Sequence, residues 1–437
     1  MLEKLPLWGK IFYGVPAAGY FMLGQVILSQ IMFFYVDGFR GYALAAPAIV
    51  GAIMFFGRIV DAVTDPLVAS CSDRLDSPWG RRWPFLIVSA ILLPATFVII
   101  FHPPSMEQST QNAVFLVLML SLFFTAYTGF ANPYLALLPE LARTTRDQVD
   151  LATIKAAFGL LGTGAGLISA GLLAENLSFG AMAWILGMTA MCLMLFIIPV
   201  KEKKYAHCIP SNLGLVESVV KTLKNRPFRF YLAGCLSFWF GGSIVLSAAP
   251  FYAHILLDGQ VNVAHLYIAA GSVAVPSFFF INFLSKRWGT KMMMLVAMLV
   301  LTLALPLYFF IGKPILGIPV LPFAYVVIGL AGFSIAALFI VPDALVASIT
   351  VHEKNTTGQS REAMFYGTQG LLMKTAMGFS GLLIGVLLQY FGQTVQEPLG
   401  VQLTGPVAAV FVLMGFLVFT RYPESEVMQS MKEDDDS

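Results

Sequence analysis

Apolar runs of 18 residues or more recur from one end of this 437-residue sequence to the other, and each is long enough to cross a bilayer as a helix. That feature confines the chain to a bundle of membrane-spanning helices, because in hydrocarbon a helix satisfies its own backbone polar groups. Charged residues make up only 11% of the chain, against about 25% in an ordinary soluble domain. A net charge of +2 implies no basic surface for nucleic acid. The four cysteines are scattered, with neither metal-ligand spacing nor the look of a disulfide framework. The first apolar stretch outruns a signal peptide and lacks a small-residue cleavage site, so it reads as a retained helix.

Gly, Pro and charge punctuate the sequence into twelve expected spans: 11–37, 43–71, 84–102, 112–139, 152–175, 180–200, 228–256, 262–285, 290–312, 319–350, 363–391 and 402–421. An even number of spans puts both termini on one side. Loops on that side hold sixteen basic residues, among them Arg74, Arg81, Arg82, Lys203 and Lys291, while the opposite loops hold Arg40 and Lys313. The positive-inside bias makes both termini cytoplasmic and the chain a multi-pass protein of the plasma (cell inner) membrane.

The long polar break at 201–227 divides the spans six and six. The expected domains are an N-terminal bundle (1–200), a central cytoplasmic loop (201–227), a C-terminal bundle (228–422) and a cytoplasmic tail (423–437). The halves echo one another. SPWGRRWPF after span 2 answers SKRWGTKM after span 8, and LLPELARTTRDQ after span 4 answers VPDALVASITVHEK after span 10. In a transporter, such repeats place the substrate site near the bilayer midplane.

Few ionisable residues fall clearly inside spans, the others lying at span ends: Arg58, Asp61, Asp65, Lys155, Asp343 and Lys374. Each costs at least about 2.5–3.5 kcal/mol at the centre of a membrane helix, so each calls for an explanation. An interhelical ion pair or a nearby helix end suits Asp343 and could serve Arg58. Asp61 and Asp65 resist that account. Separated by four residues they share a helix face about 6 Å apart, and two carboxylates there repel by about 3 kcal/mol even at an effective dielectric constant near 20. Either one holds a proton or a cation sits between them. Thr64 adjoins Asp65, and Thr128 in span 4 offers a further oxygen of the kind hard cations prefer. No histidine lies mid-span, which leaves this pair as the coupling candidates. Lys155 and Lys374 would complete a polar lining, one from each half.

The run GRIVDAVTDPLVASCSDRLDSPWGRRWPF (57–85) resembles the signature of the glycoside–pentoside–hexuronide:cation symporters of the major facilitator superfamily. Weaker likeness covers the rest of the chain, including Tyr13-Gly14, the spacing of Pro133 and Pro139, and Lys374. The resemblance implies an all-α fold of twelve transmembrane helices in two six-helix bundles, with alternating access and import driven by Na⁺, H⁺ or Li⁺. It assigns Asp61, Asp65 and Thr128 to the cation site, with Thr64 where the best-known member of the family carries asparagine, and puts Lys374 near that site. Lys155 falls at, or one residue from, a sugar-contacting arginine. Three sugar-binding positions depart from the pattern: Phe21 and Ala131 replace aspartates, and Leu135 replaces a stacking tryptophan. Those apolar replacements fit an amphiphile at least as well as a sugar, and a sodium-coupled lysophospholipid-transporting relative shares the aspartates and the lysine.

The expected function is therefore Na⁺- or H⁺-coupled import of an organic solute by a monomer among membrane lipids. A glycoside is the substrate implied by the resemblance and a lysophospholipid-like amphiphile is the alternative; a non-transporting receptor on the same scaffold is the second. The ion is the sole expected cofactor, with no organic one. No metal cluster, phosphate loop or nucleophile–histidine arrangement suggests an enzyme. Asp61, Asp65, Thr64 and Thr128 would bind the ion, and Lys155, Lys374, Asn132, Tyr134 and Gln369 would contact substrate. Arg74, Arg81 and Arg82, paired with Asp73, Asp76 and neighbouring loops, would latch the outward-facing state.

Overall fold

The computed structural model describes residues 5–75, 77–142, 144–200, 202–205, 222–314, 317–357 and 362–428. Among them are α1 (Leu7–Val36), α2 (Pro47–Arg74), α3 (Trp83–Ile100), α4 (Thr110–Leu141), α5 (Thr145–Asn176) and α6 (Phe179–Leu195). A one-turn helix, Glu202–Tyr205, precedes α7 (Arg226–Phe251), α8 (Val263–Trp288), α9 (Thr290–Ala304), α10 (Val320–Thr357), α11 (Glu362–Phe391) and α12 (Leu399–Phe419). Among the described residues, eleven membrane-length apolar segments and the shorter Phe179–Leu195 account for the twelve expected spans.

Local chemistry moves several boundaries. Span 6 is expected to reach residue 200, yet α6 stops at Leu195 and the apolar chain continues as tight turns that close on Leu193, Met194 and Leu195. Pro199 explains the stop, since the residue before a proline is pushed out of the α region. In contrast α5 starts at Thr145 and not at 152. The Thr144 hydroxyl accepts from the Asp147 N–H and donates to the Asp147 carboxylate, and this cap carries the helix through a polar stretch. Polarity alone does not end a helix that is capped. Likewise α10 runs past 350 through a polar stretch to Thr357, which leaves Asp343 well inside the helix.

The chain forms two compact units: Met1–Asn212 with Asn262–Ala264, and Leu213–Val261 with His265–Ser437. In the first, α1 is the core element, buried along most of its length and packed on α5 and α6. Lipid tails are as apolar as leucine, so close packing rather than hydrophobicity holds such helices together. At the α1–α5 seam a Cβ on Gly162 would collide with the Ala18 backbone, so this crossing needs glycine. The α2, α3 and α4 helices pack as a layer in which α4 touches both others. In the second unit α7 packs on α11 and α12, and α9 on α10.

Candidate cation site

Two pairs of residues, each spaced by one helical turn, meet where α2 packs on α4. Asp61 and Asp65 come from α2; Thr128 and Asn132 come from α4. The Thr128 hydroxyl donates to Asp61 Oδ1 at 2.7 Å and lies 3.2 Å from Asp65 Oδ1. The Asn132 amide donates to the Asp65 carbonyl at 3.1 Å and to its Oδ1 at 3.2 Å. Asp61 and Thr128 are fully buried, and Asp65 is half-buried. A hydroxyl carries one hydrogen, so it cannot give a full hydrogen bond to two ionised carboxylates at once. The arrangement gathers two carboxylate oxygens and a hydroxyl oxygen around one point, which suits a shared proton or a small hard cation.

Arg58, one turn before Asp61, completes the cluster. Its Nη1 is 3.3 Å from Asp61 Oδ2, and its guanidinium lies 4.5 Å from the centre of the Phe124 ring on α4. The Thr64 hydroxyl donates to the Asp61 carbonyl at 3.1 Å, so it is turned to its own helix. Two prolines interrupt the backbone beside the site. Pro66 has no N–H to give the Ala62 carbonyl, and Pro133 has none for Gly129. Membrane helices tolerate such breaks where neighbouring groups satisfy the freed carbonyls. The donor set is thus all oxygen, and among the described residues no group of three or more His, Cys, Asp or Glu gathers as a transition-metal site would need.

The residues expected to touch substrate are dispersed. Asn132 belongs to the carboxylate cluster. Tyr134 is fully buried: its hydroxyl donates to the Tyr13 carbonyl at 2.6 Å, the Tyr13 hydroxyl donates back to the Tyr134 carbonyl at 3.1 Å, and the rings stack 4.7 Å apart. Lys155 is half-buried on α5. Of the second unit's residues, Lys374 is half-buried on α11, while Gln369 is buried with its Nε2 against Met373 Sδ at 3.4 Å. Leu135 is 41% exposed, one residue beyond Tyr134, so the position implied for an aromatic platform presents an aliphatic side chain instead.

Arg81 and Arg82 converge on Glu140 near the end of α4, a partner that sequence reasoning did not single out. Arg82 meets it through Nη2 at 2.7 Å and Nε at 3.2 Å, and Arg81 through Nη2 at 3.2 Å. Glu140 is 2% exposed. Its signal was present in the sequence as a carboxylate one residue past the expected end of span 4, in the P-E-L stretch that leads into a basic loop. Glu202, from the one-turn helix, accepts the backbone N–H groups of Arg81 and Arg82 at 2.9 Å and of Trp83 at 3.2 Å. It thereby satisfies open donors at the start of α3 with a negative charge. Gly80, at φ +121°, turns the chain into this clamp where any Cβ would strike the Glu202 carboxylate. Arg74 ends α2 exposed, whereas Asp76 and the Asp73 side chain lie outside the described residues.

A family model described as MFS/sugar transport protein matches residues 12–425. The sodium-dependent lysophosphatidylcholine symporter 1-B of Danio rerio is 24% identical, over 97% of this chain and 88% of that protein. The isoprimeverose transporter of Lactiplantibacillus pentosus is 23% identical, over 90% and 82%. Among solved structures, the nucleoside transporter NupG superposes with a TM-score of 0.62 at 15% identity, covering 94% of this chain and 99% of that one.

Proposed function

Since the chain belongs to the MFS/sugar transport protein family, a family of polytopic membrane transporters and not of enzymes, we propose that it is a cation-coupled symporter that imports an organic solute by alternating access. The observation that carries the coupling is the Thr128 hydroxyl held between Asp61 and Asp65. In this reading Na⁺ or H⁺ occupies that point, with Asp61, Asp65 and Thr128 as ligands and Thr64 within the cluster. Asn132 holds the Asp65 carboxylate in place, so it bridges ion and substrate sites. The ion offsets the repulsion of the carboxylates and favours the state that presents the substrate site outward. Lys155, Lys374 and Gln369 contact substrate, whereas the Tyr134 hydroxyl is held by the Tyr13 carbonyl. The Arg81–Arg82–Glu140 cluster, with Arg74 and Asp73 nearby in sequence, latches the cytoplasmic side. Both termini are cytoplasmic, the six-helix halves are 1–200 and 228–422, and the protein works as a monomer in the plasma membrane.

For the substrate we favour a single-chain amphiphile over a glycoside. Phe21, Ala131 and Leu135 offer no hydrogen bonds where a sugar needs several, and Leu135 is exposed. A relative named for lysophosphatidylcholine and one named for isoprimeverose bracket the two choices. Uptake into proteoliposomes under an imposed Na⁺ or H⁺ gradient tests both halves of the reading, with lysophosphatidylcholine and a panel of glycosides as substrates. Gradient-dependent accumulation that survives in Asp61→Asn and Asp65→Asn would sink the coupling assignment. Binding without accumulation would favour a receptor.

A further inference from the structure

We propose that the second unit holds a ligand site of its own, an internal cavity that takes a small, mostly apolar molecule with one hydrogen-bond acceptor. A medium-chain alcohol, ketone or ester is of this class, and the Tyr308 hydroxyl is its anchor. The site is independent of the ion cluster on α2 and α4 and of the transport reading.

The cavity lies among α7, α8, α9 and α10, with every lining residue in the second unit. It encloses about 60 Å³, several times what one buried water needs. Phe238, Leu246, Leu301 and Leu338 are among the apolar side chains of its wall. Such a wall offers water little, and apolar cavities stay dry and take apolar guests. Gly242 is open to the cavity: a Cβ there would meet only Leu338, at an ordinary 3.7 Å. The adjacent Gly241 differs, since its Cβ would strike Val412 of α12. Glycine weakens a helix interior, so one that packing does not require is explained by the space it leaves.

Two phenols on the wall stand with ring centres 5.2 Å apart. Tyr252 opens a π-helical turn after α7 (Tyr252–Leu256), and Tyr308 lies in a 3₁₀ turn after α9 (Leu305–Phe310). π turns frequently accompany functional sites. Close contacts fix both turns: a Cβ on Gly312 would strike the Leu256 carbonyl, and one on Gly405 of α12 would strike the Leu305 carbonyl and Tyr308 Cβ. The Thr404 hydroxyl donates to the Val401 carbonyl at 2.6 Å, so Tyr252 is the donor in its 2.7 Å contact with Thr404. Ser334, also on the wall, donates to the Ala297 carbonyl at 2.9 Å. Tyr308 is fully buried, and its hydroxyl has no hydrogen-bond partner among the described residues. A buried hydroxyl without a partner costs its desolvation, which phenylalanine at the same place would spare. An acceptor oxygen on the guest supplies the partner, while its alkyl part fills the space before Gly242. An apolar cavity with a few placed polar groups is the usual make-up of a small-molecule site.

The test uses the purified full chain in nanodiscs and an octanol that carries a diazirine, with the labelled residues located by mass spectrometry. Wild type is expected to take the label at Leu246 and Leu338. Unlabelled octanol should suppress it at a concentration about tenfold below that of octane, the worth of one hydrogen bond. Tyr308→Phe should bring octanol to the level of octane and yet melt no lower than wild type without ligand. Loss of a merely structural hydrogen bond would lower the melting temperature. Gly242→Leu fills the cavity and should abolish labelling at Leu246 and Leu338, while the 78% exposed Phe279 of α8, outside the cavity, stays labelled. Where Gly242→Leu is not recovered from the membrane, Gly242→Val carries the same expectation. Absent labelling at Leu246 and Leu338, or labelling there that persists once Gly242 is replaced, overturns this inference. Octane that competes as well as octanol, or a Tyr308→Phe protein that melts lower or still prefers octanol, overturns it too. None of these outcomes touches the coupling reading, which rests on α2 and α4.

Discussion

Thr128 is the residue on which the coupling reading turns. Its hydroxyl meets both carboxylates, and a hydrogen bond to a charged group contributes about 1.5–3 kcal/mol. Thr128→Ala should therefore weaken apparent cation affinity by about 10- to 100-fold in an uptake assay, at roughly 1.4 kcal/mol per tenfold. Thr64→Ala should change it by much less, because that hydroxyl is engaged with its own helix. Equal effects from the two substitutions would contradict the geometry. Asp61 and Asp65 were legible in the sequence because a charge inside an apolar run is expensive and two of them on one face more so. Asn132 was legible only as a polar group in a span, and it was placed with the substrate. No sequence pattern states which face α4 turns to α2, but once Thr128 is on that face, Asn132 one turn later must follow.

At the scale of the helix, the feature of interest is the start of α3. Its open N–H groups are met by Glu202 from a separate segment, while Glu140 pairs with the two arginines beside it. Breaking a buried ion pair by removing one partner costs about 3–5 kcal/mol, so Glu140→Ala should sharply lower thermal stability in detergent. Glu202→Ala should cost about 0.5–2 kcal/mol, the range of a lost helix cap, and Gly80→Ala should mimic it by displacing the carboxylate. A Gly80→Ala protein that melts like wild type would show that the clamp is slack. The twelve helices themselves were readable from run length, because the bilayer fixes how long an apolar segment must be. Their ends were not, since caps such as Thr144 and stops such as Pro199 act through individual hydrogen bonds and φ/ψ limits rather than through hydropathy. Glu202 was invisible for a further reason: it acts on a helix about 120 positions earlier.

For the whole molecule, orientation and internal rigidity make the sharpest expectations. The proposed orientation, with both termini cytoplasmic, can be tested at the exposed Cys71 near the end of α2. It should react with a membrane-impermeant maleimide only in inside-out vesicles, and reaction in right-side-out vesicles would reverse the topology. A transporter that alternates its access must keep some parts stiff while others move. The Tyr13–Tyr134 pair shows where stiffness is built in, since each phenol reaches across to the other residue's carbonyl. Two crossed bonds and a stacked ring pair act as a rivet between α1 and α4: sliding the helices along one another would break both at once, and rotating either would unstack the rings. Thr128 and Tyr134 share α4, so in the proposed cycle α4 would carry Thr128 and α1 along as a single lever.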